Sequence, residues 1–253
     1  YMEAAKANYG QAMFHLGRMY EKGLGVTIDV NDAKKWYLEA FENNAYEAAK
    51  KLGDLYFEGK LLEKNDKEAL MWYLKAAEAG CTKAMIRLWE ILEEKDWLEK
   101  AAVLHDTEAQ CKLGNMYMQG DNTHDFKLAR KWLEEAARLN NAEAQYYMAL
   151  LYLYGMGVEK DMDTSLYWLI KSGGQGYRKA LLKFVELHYI ISVNEGRENK
   201  ITEVDKTKYS DFQRELGKMF LNGSDKNDYI KAFTWLNMAA KHGDLIAGYY
   251  LGV

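Results

Sequence analysis

Proline is absent from all 253 residues, where average usage of about 5% predicts roughly 13. That absence excludes polyproline segments, proline-rich linkers and collagen, and it favours uninterrupted helices joined by glycine turns. Cysteine is nearly absent as well. Cys81 and Cys111 are too few for a disulfide framework and lack C-x-x-C spacing. No run approaches about 18 apolar residues, so no segment is expected to insert into a bilayer. Neither sign of charge dominates: 34 Lys+Arg against 38 Asp+Glu leave a net charge of -4. The balance gives no electrostatic case for nucleic acid or an anionic membrane as the main ligand. What the chain does have is 49% hydrophobic residues with 28% charged, enough for a sizeable core.

Those apolar residues recur at a fixed period. Trp36, Trp72, Trp97, Trp132, Trp168 and Trp235 are separated by 36, 25, 35, 36 and 67 residues, a spacing that signals a solenoid of stacked units. Each is followed one helical turn later by a small residue: Ala40, Ala76, Ala101, Ala136, Ser172 and Ala239. A second track about twenty residues earlier reads Ala-x-x-x-Leu-Gly-x-x-Tyr-x-x-Gly. It appears as Ala12, Leu16, Gly17, Tyr20 and Gly23, then as Ala48, Leu52, Gly53, Tyr56 and Gly59, then as Ala109, Leu113, Gly114, Tyr117 and Gly120. Looser copies occur at Ala144 to Gly155 and Leu216 to Gly223. Apolar residues at i, i+4 and i+8 make one helical stripe, and the glycine beside the leucine implies a close backbone approach. Each repeat is therefore a pair of helices, A then B. Gly23 and Gly155 are placed to stop helix A in a left-handed conformation, and Asp29 and Asp161 to cap helix B.

These residues, Leu-Gly-x-x-Tyr-x-x-Gly-x-Gly-Val followed by Ala-x-x-Trp-Tyr-x-x-Ala-Ala-x-x-Gly, strongly resemble the Sel-one-like repeat (SLR) family, relatives of the tetratricopeptide repeat. The second repeat, with Trp72, Tyr73, Ala76, Ala77 and Gly80, is near the family consensus. The resemblance implies an all-α, right-handed α-solenoid (superhelix) of about seven antiparallel helix-pair repeats. It delimits repeats at residues 9-44, 45-80, 81-105, 106-140, 141-176, 177-209 (degenerate) and 210-243 of a single domain covering 1-253. It implies an interaction scaffold, and it implies no reaction.

Two places depart from the pattern. The third repeat is 11 residues short of the 36-residue norm, lacks the glycine turn, and has Trp89 where the family has glycine. The indole is expected to splay the stack or to turn outward, changing superhelical curvature near residues 85 to 105. The sixth repeat begins in register at Ala180 and Phe184, but after Ile191 it dissolves into a polar stretch. Its B helix is expected to be missing, short or remodelled, with the next A helix near Thr207 to Leu221. Tyr1 aligns with Tyr37 and Leu251-Gly252-Val253 falls inside an A helix, so the sequence reads as a piece of a longer protein.

Motifs of catalysis are missing from the sequence: no G-x-x-x-x-G-K-[ST], G-x-G-x-x-G or H-E-x-x-H, and no serine with a lysine three residues on. His105-Asp106 and His124-Asp125 read as solvated turn residues, and Cys111 as a small buried hydrophobe. The expectation is a nonenzymatic chain without cofactor or metal. By analogy with tetratricopeptide stacks, A helices line the concave groove, mostly polar in the first repeats at Gln11, Phe14, Arg18, Glu21, Glu47, Lys50, Asp54 and Phe57. Farther along it becomes apolar, and Tyr146 to Tyr154 is apolar all round. One reading is that the sixth repeat or the segment after Ile191 folds over this groove as structure. The other is that Met118, Tyr146, Leu150, Leu153, Leu182 and Tyr189 form an exposed patch for a protein or peptide partner. Three functions remain open: a noncatalytic scaffold or adaptor, an inhibitor or immunity protein of a bacterial toxin or effector, and a regulatory repeat domain of an enzyme.

Overall fold

Helix caps recur along the chain and set its element boundaries. In the computed structural model, which describes residues 1-120, 123-195, 206-222 and 226-252, the described residues form helices and turns only. A short B helix, α1 (Met2–Lys6), comes first. The A/B pairs follow: α2 (Gly10–Lys22) with α3 (Val30–Glu42), α4 (Glu47–Glu58) with α5 (Asp66–Glu78), α6 (Thr82–Leu92) with α7 (Lys95–Val103), α8 (Thr107–Met118) with α9 (Thr123–Arg138), and α10 (Ala142–Tyr154) with α11 (Met162–Gly174). After α12 (Arg178–Glu195) no B helix precedes α13 (Lys206–Leu221) among the described residues; α14 (Lys226–Lys241) and α15 (Leu245–Leu251) complete the series. Residues 196-205, in the expected irregular segment, lie outside the described residues.

The A-to-B turns end as glycine and acid spacing predicts. Gly23, Gly59 and Gly155 close α2, α4 and α10 in the left-handed conformation, with φ of 69°, 65° and 70°. Asp29 accepts from Asn31 N and Asp32 N at 2.9 and 3.0 Å, and Asp161 accepts from Thr164 N at 3.1 Å. Asn65 caps α5 in the same way. Lacking the glycine turn, the third repeat reaches the same backbone conformation at Glu93, with φ of 57°. The B-to-A turns carry a second left-handed position in step with the tryptophans: Asn8, Asn44, Gly80, His105, Asn140, Gly176 and Gly243. Asparagine and glycine are the residues that tolerate it best.

The chain divides into two compact units, Tyr1–Ala109 and Gln110–Val253, with the boundary inside α8. Within the first, α2 to α7 each pack on their sequence neighbours; within the second, α10 packs on α9 and α11, and α11 carries both α12 and α13. The centre of each repeat is the residue after the tryptophan. Tyr37, Tyr73, Leu98, Leu133, Leu169 and Leu236 are at most 1% exposed, each worth roughly 1.5–3 kcal/mol of burial. Among the periodic tryptophans described, Trp72 is buried and the others are half-buried. Trp72 meets Phe41 of the preceding B helix edge-on at 6.0 Å, and Trp168 packs both on the cluster built by α8, α9 and α10 and on the one built by α10, α11, α12 and α13.

The glycine of the Leu-Gly pair also answers to a side chain before a backbone. A Cβ on Gly17 would stand 2.6 Å from the Tyr37 ring, and one on Gly53 2.6 Å from the Tyr73 ring. Trp89, in this register, is half-buried. No described helix is long and apolar enough to cross a membrane.

Candidate protein-interaction surface

The A helices of the two units present different chemistry. In the first unit the charges are paired. The Tyr37 hydroxyl donates to Glu21 Oε2, and the Tyr73 hydroxyl donates to Asp54 Oδ1 at 3.0 Å. Lys51 stands 3.7 Å from Glu21, and Lys50 donates to Asp54 at 2.7 Å. Arg87 pairs with Glu90 at 2.7 Å and lies over the Phe57 ring at 5.2 Å. Gln11 donates to Glu47 at 3.1 Å. Burial, helped by these neighbouring carboxylates, holds both phenols protonated well above the usual tyrosine range.

In the second unit α10 is embedded almost all round. Of its residues only Glu143 and Tyr154 are exposed. The six candidate patch residues separate accordingly. Leu153, 5% exposed, belongs to the core cluster of α10, α11, α12 and α13, and so it offers no docking surface. Tyr146 and Leu150 are half-buried against that cluster, and Met118 is half-buried against the one formed by α8, α9 and α10. Leu182 on α12 is 50% exposed, and Tyr154 at the end of α10 is 59% exposed. Tyr189 lies in α12, with its side chain outside the described residues.

A polar rim borders these side chains. Glu143 Oε1 accepts from the Tyr147 and Tyr177 hydroxyls at 3.3 and 3.2 Å. The Tyr146 ring sits 5.5 Å from both the Tyr147 and Tyr177 rings. Burial pushes the phenols of Tyr146, Tyr147 and Tyr177 up, and Glu143 adds to the effect on the last two. Lys183 donates to Glu186 at 2.7 Å. Fixed aromatic rings, partly exposed aliphatics and a rim of satisfied polar groups make a contact surface; they supply no nucleophile with an adjacent base.

The other sequence candidates resolve into structural roles. Cys111 is 2% exposed. His105 is exposed in its left-handed turn, but Asp106 is not the solvated residue expected. It caps α8 by accepting from Glu108 N and Ala109 N at 3.0 and 3.1 Å. It also accepts from the Thr82 hydroxyl at 2.7 Å and lies 3.3 Å from Lys83. Burial alone would raise its carboxyl pKa; the Thr82 hydroxyl, the Ala109 amide and Lys83 outweigh that and hold it below the usual range. Among the described residues no group of three or more His, Cys, Asp or Glu is arranged to hold a metal ion. Sequence reasoning missed the buried glutamines. Gln145, 1% exposed, donates to the Ala137 carbonyl and to Asn140, and it accepts from Gln175 at 2.7 Å. Gln213 meets His242 Nδ1 at 2.9 Å in the matching place. Both partners stand seven residues after a periodic tryptophan, which is the signal that could have found them.

A search of the curated proteins finds no match. Among solved structures, a protective antigen of uropathogenic Escherichia coli strains displaying an SLR fold is 27% identical, with a TM-score of 0.66. The alignment covers 100% of this chain, which spans 58% of the length of that antigen. A Sel1 repeat protein from Oxalobacter formigenes is 26% identical over 98% of this chain and 77% of its own, with a TM-score of 0.63. The sequence profile of the Sel1 repeat matches residues 10-44, 47-81, 107-141, 142-177 and 210-244. These stretches fall on the pairs α2/α3, α4/α5, α8/α9, α10/α11 and α13/α14, and they pass over α6/α7 and α12 where the pattern departs. With most of its length accounted for in this way, the chain belongs to the Sel1 repeat family.

Proposed function

We propose that the chain is a noncatalytic scaffold or adaptor that holds a protein or peptide against the A-helix face of its second unit. Sel1 repeats mediate protein interactions, which supports the general reading. The observation that carries the particular one is the contrast between the two A faces. In the first unit, carboxylates of α2 and α4 are engaged by tyrosines and lysines of the same unit. In the second, Leu182 and Tyr154 stand half-exposed, Tyr146 and Leu150 are half-buried against the core, Lys183 donates to Glu186, and Glu143 accepts from the Tyr177 hydroxyl. Partly exposed aromatic and aliphatic anchors inside a polar rim are the composition of interaction hot spots.

The test is affinity purification of the full chain with mass spectrometry, repeated with Leu182→Asp. Because Leu182 is half out of the core, the substitution is expected to leave far-UV circular dichroism unchanged while removing a recurrent partner. A partner recovered equally well by the folded variant would place the contact elsewhere and defeat this reading.

A further inference from the structure

The outer face of α9 differs from that of every other B helix. Taking positions five, two and one before the periodic tryptophan and six after it, the fourth repeat has Lys127, Arg130, Lys131 and Arg138. The same positions are Asn31, Lys34, Lys35 and Glu42 in the first repeat and Lys67, Leu70, Met71 and Glu78 in the second. In the fifth they are Asp163, Leu166, Tyr167 and Gly174, and in the seventh Ile230, Phe233, Thr234 and Lys241. Only the fourth repeat makes all four cationic, in a chain whose net charge is -4.

In the structure these four side chains line one cleft of about 450 Å³. Gly157, from the turn after α10, helps line it; a Cβ there would stand 2.8 Å from that of Phe126. Two acids share the lining, and both are engaged. Glu134 accepts from Arg138 at 2.6 Å, and Glu135 accepts from Gln110 at 2.9 Å. Among the described residues Lys127 and Lys131 have no carboxylate partner, and Lys131 lies 5.0 Å over the Trp132 ring. Arg130 Nε is shielded from solvent without a hydrogen bond, 3.8 Å from the nearest carboxylate oxygen of Glu134. Glu134 is thus shared between Arg130 and Arg138, the Arg130 Nε–H has no hydrogen bond, and the two ammonium groups have no carboxylate partner, so the cleft holds more cations than acids.

We propose that this cleft docks an acidic segment of a polypeptide partner, at a site separate from the A-helix face. Length selects a polypeptide over a lone anion. From Lys127 to Arg138 the helix rises about 16 Å, the reach of roughly five extended residues, whereas one phosphate engages a single pair of these cations. A long polyanion such as nucleic acid would meet the net negative charge of the rest of the chain.

The probe is a labelled oligoglutamate peptide, followed by fluorescence anisotropy against the full chain at low ionic strength. Binding is expected, with affinity falling steeply as salt is added. The double substitution Lys127→Glu with Lys131→Glu, at two exposed positions, is expected to weaken it at least about tenfold, with circular dichroism unchanged. Lys34→Glu with Lys35→Glu, on the corresponding face of α3, is expected to leave it intact. Absence of binding, or equal loss in both double variants, would overturn the proposal. So would complete displacement of the peptide by inorganic phosphate at equal charge concentration, which would mark a single-anion site.

Discussion

A buried ring facing a glycine is the smallest piece of this architecture that can be tested. Tyr73 is fully buried because Gly53 leaves room for its ring, and its hydroxyl still reaches Asp54 at 3.0 Å. The pair serves packing and polar satisfaction together. Gly53→Ala would place a methyl 2.6 Å from a ring atom, and the overpacked repeat is expected to lose about 2 kcal/mol, read from the urea midpoint. An unchanged midpoint would mean that the ring relaxes freely and that the contact is not specific. The tryptophan period pointed to the right helix face but not to the right residue. Trp72 and Tyr73 differ by about 100° around the helix, and both lie toward apolar surroundings. Which of them enters the repeat and which leans on Phe41 of the preceding repeat depends on how the helices cross, a property that the spacing does not carry.

At the scale of elements, the short third repeat replaces a glycine turn by two residues, Glu93 and Glu94, between α6 and α7. Glu93 holds the left-handed cap conformation with φ of 57° and is exposed. A side chain in that region costs about 1 kcal/mol or more relative to glycine. Glu93→Gly is therefore expected to stabilise the chain by roughly 1 kcal/mol, visible as a higher thermal midpoint; a lower midpoint would show that the glutamate contributes something the backbone angle does not reveal. The shortened turn was legible from the missing glycines. That a glutamate would take their conformation was not, because propensity argues against it and only the need to return α7 onto α6 imposes it. The acid caps were read more easily: Asp29 and Asp161 precede apolar-periodic segments and have no competing role. Asp106 reads as a solvated turn residue in the sequence because its second function, collecting Thr82 and Lys83 from α6, joins residues 24 and 23 positions apart.

Over the whole molecule, the phenols of Tyr37, Tyr73, Tyr147 and Tyr177 are all held protonated, first by burial and then by Glu21, Asp54 and Glu143. Their pKa values in the folded chain lie above the unfolded value of about 10. The stability they contribute is thus fully present below about pH 10 and is lost as pH rises beyond it. Urea midpoints measured across alkaline pH are expected to fall, and Tyr73→Phe is expected to make that fall shallower. A midpoint flat through this range would contradict the linkage.

Sequence alone determined the helical class, the 36-residue period, the cap chemistry and the two places where the repeat fails, because each follows from local spacing and from backbone preferences that neighbours do not override. Tertiary structure alone decided which of these apolar residues stayed exposed. Leu153 entered the core, Tyr146 and Leu150 were half covered, and Leu182 stayed outside, since α11 carries both α12 and α13. It also gathered Lys127, Arg130, Lys131 and Arg138 into one cleft, with Glu134 engaged by Arg138 and Glu135 by Gln110. Net charge sums over the chain, whereas a field depends on which side chains share a surface, and only folding brings those side chains together.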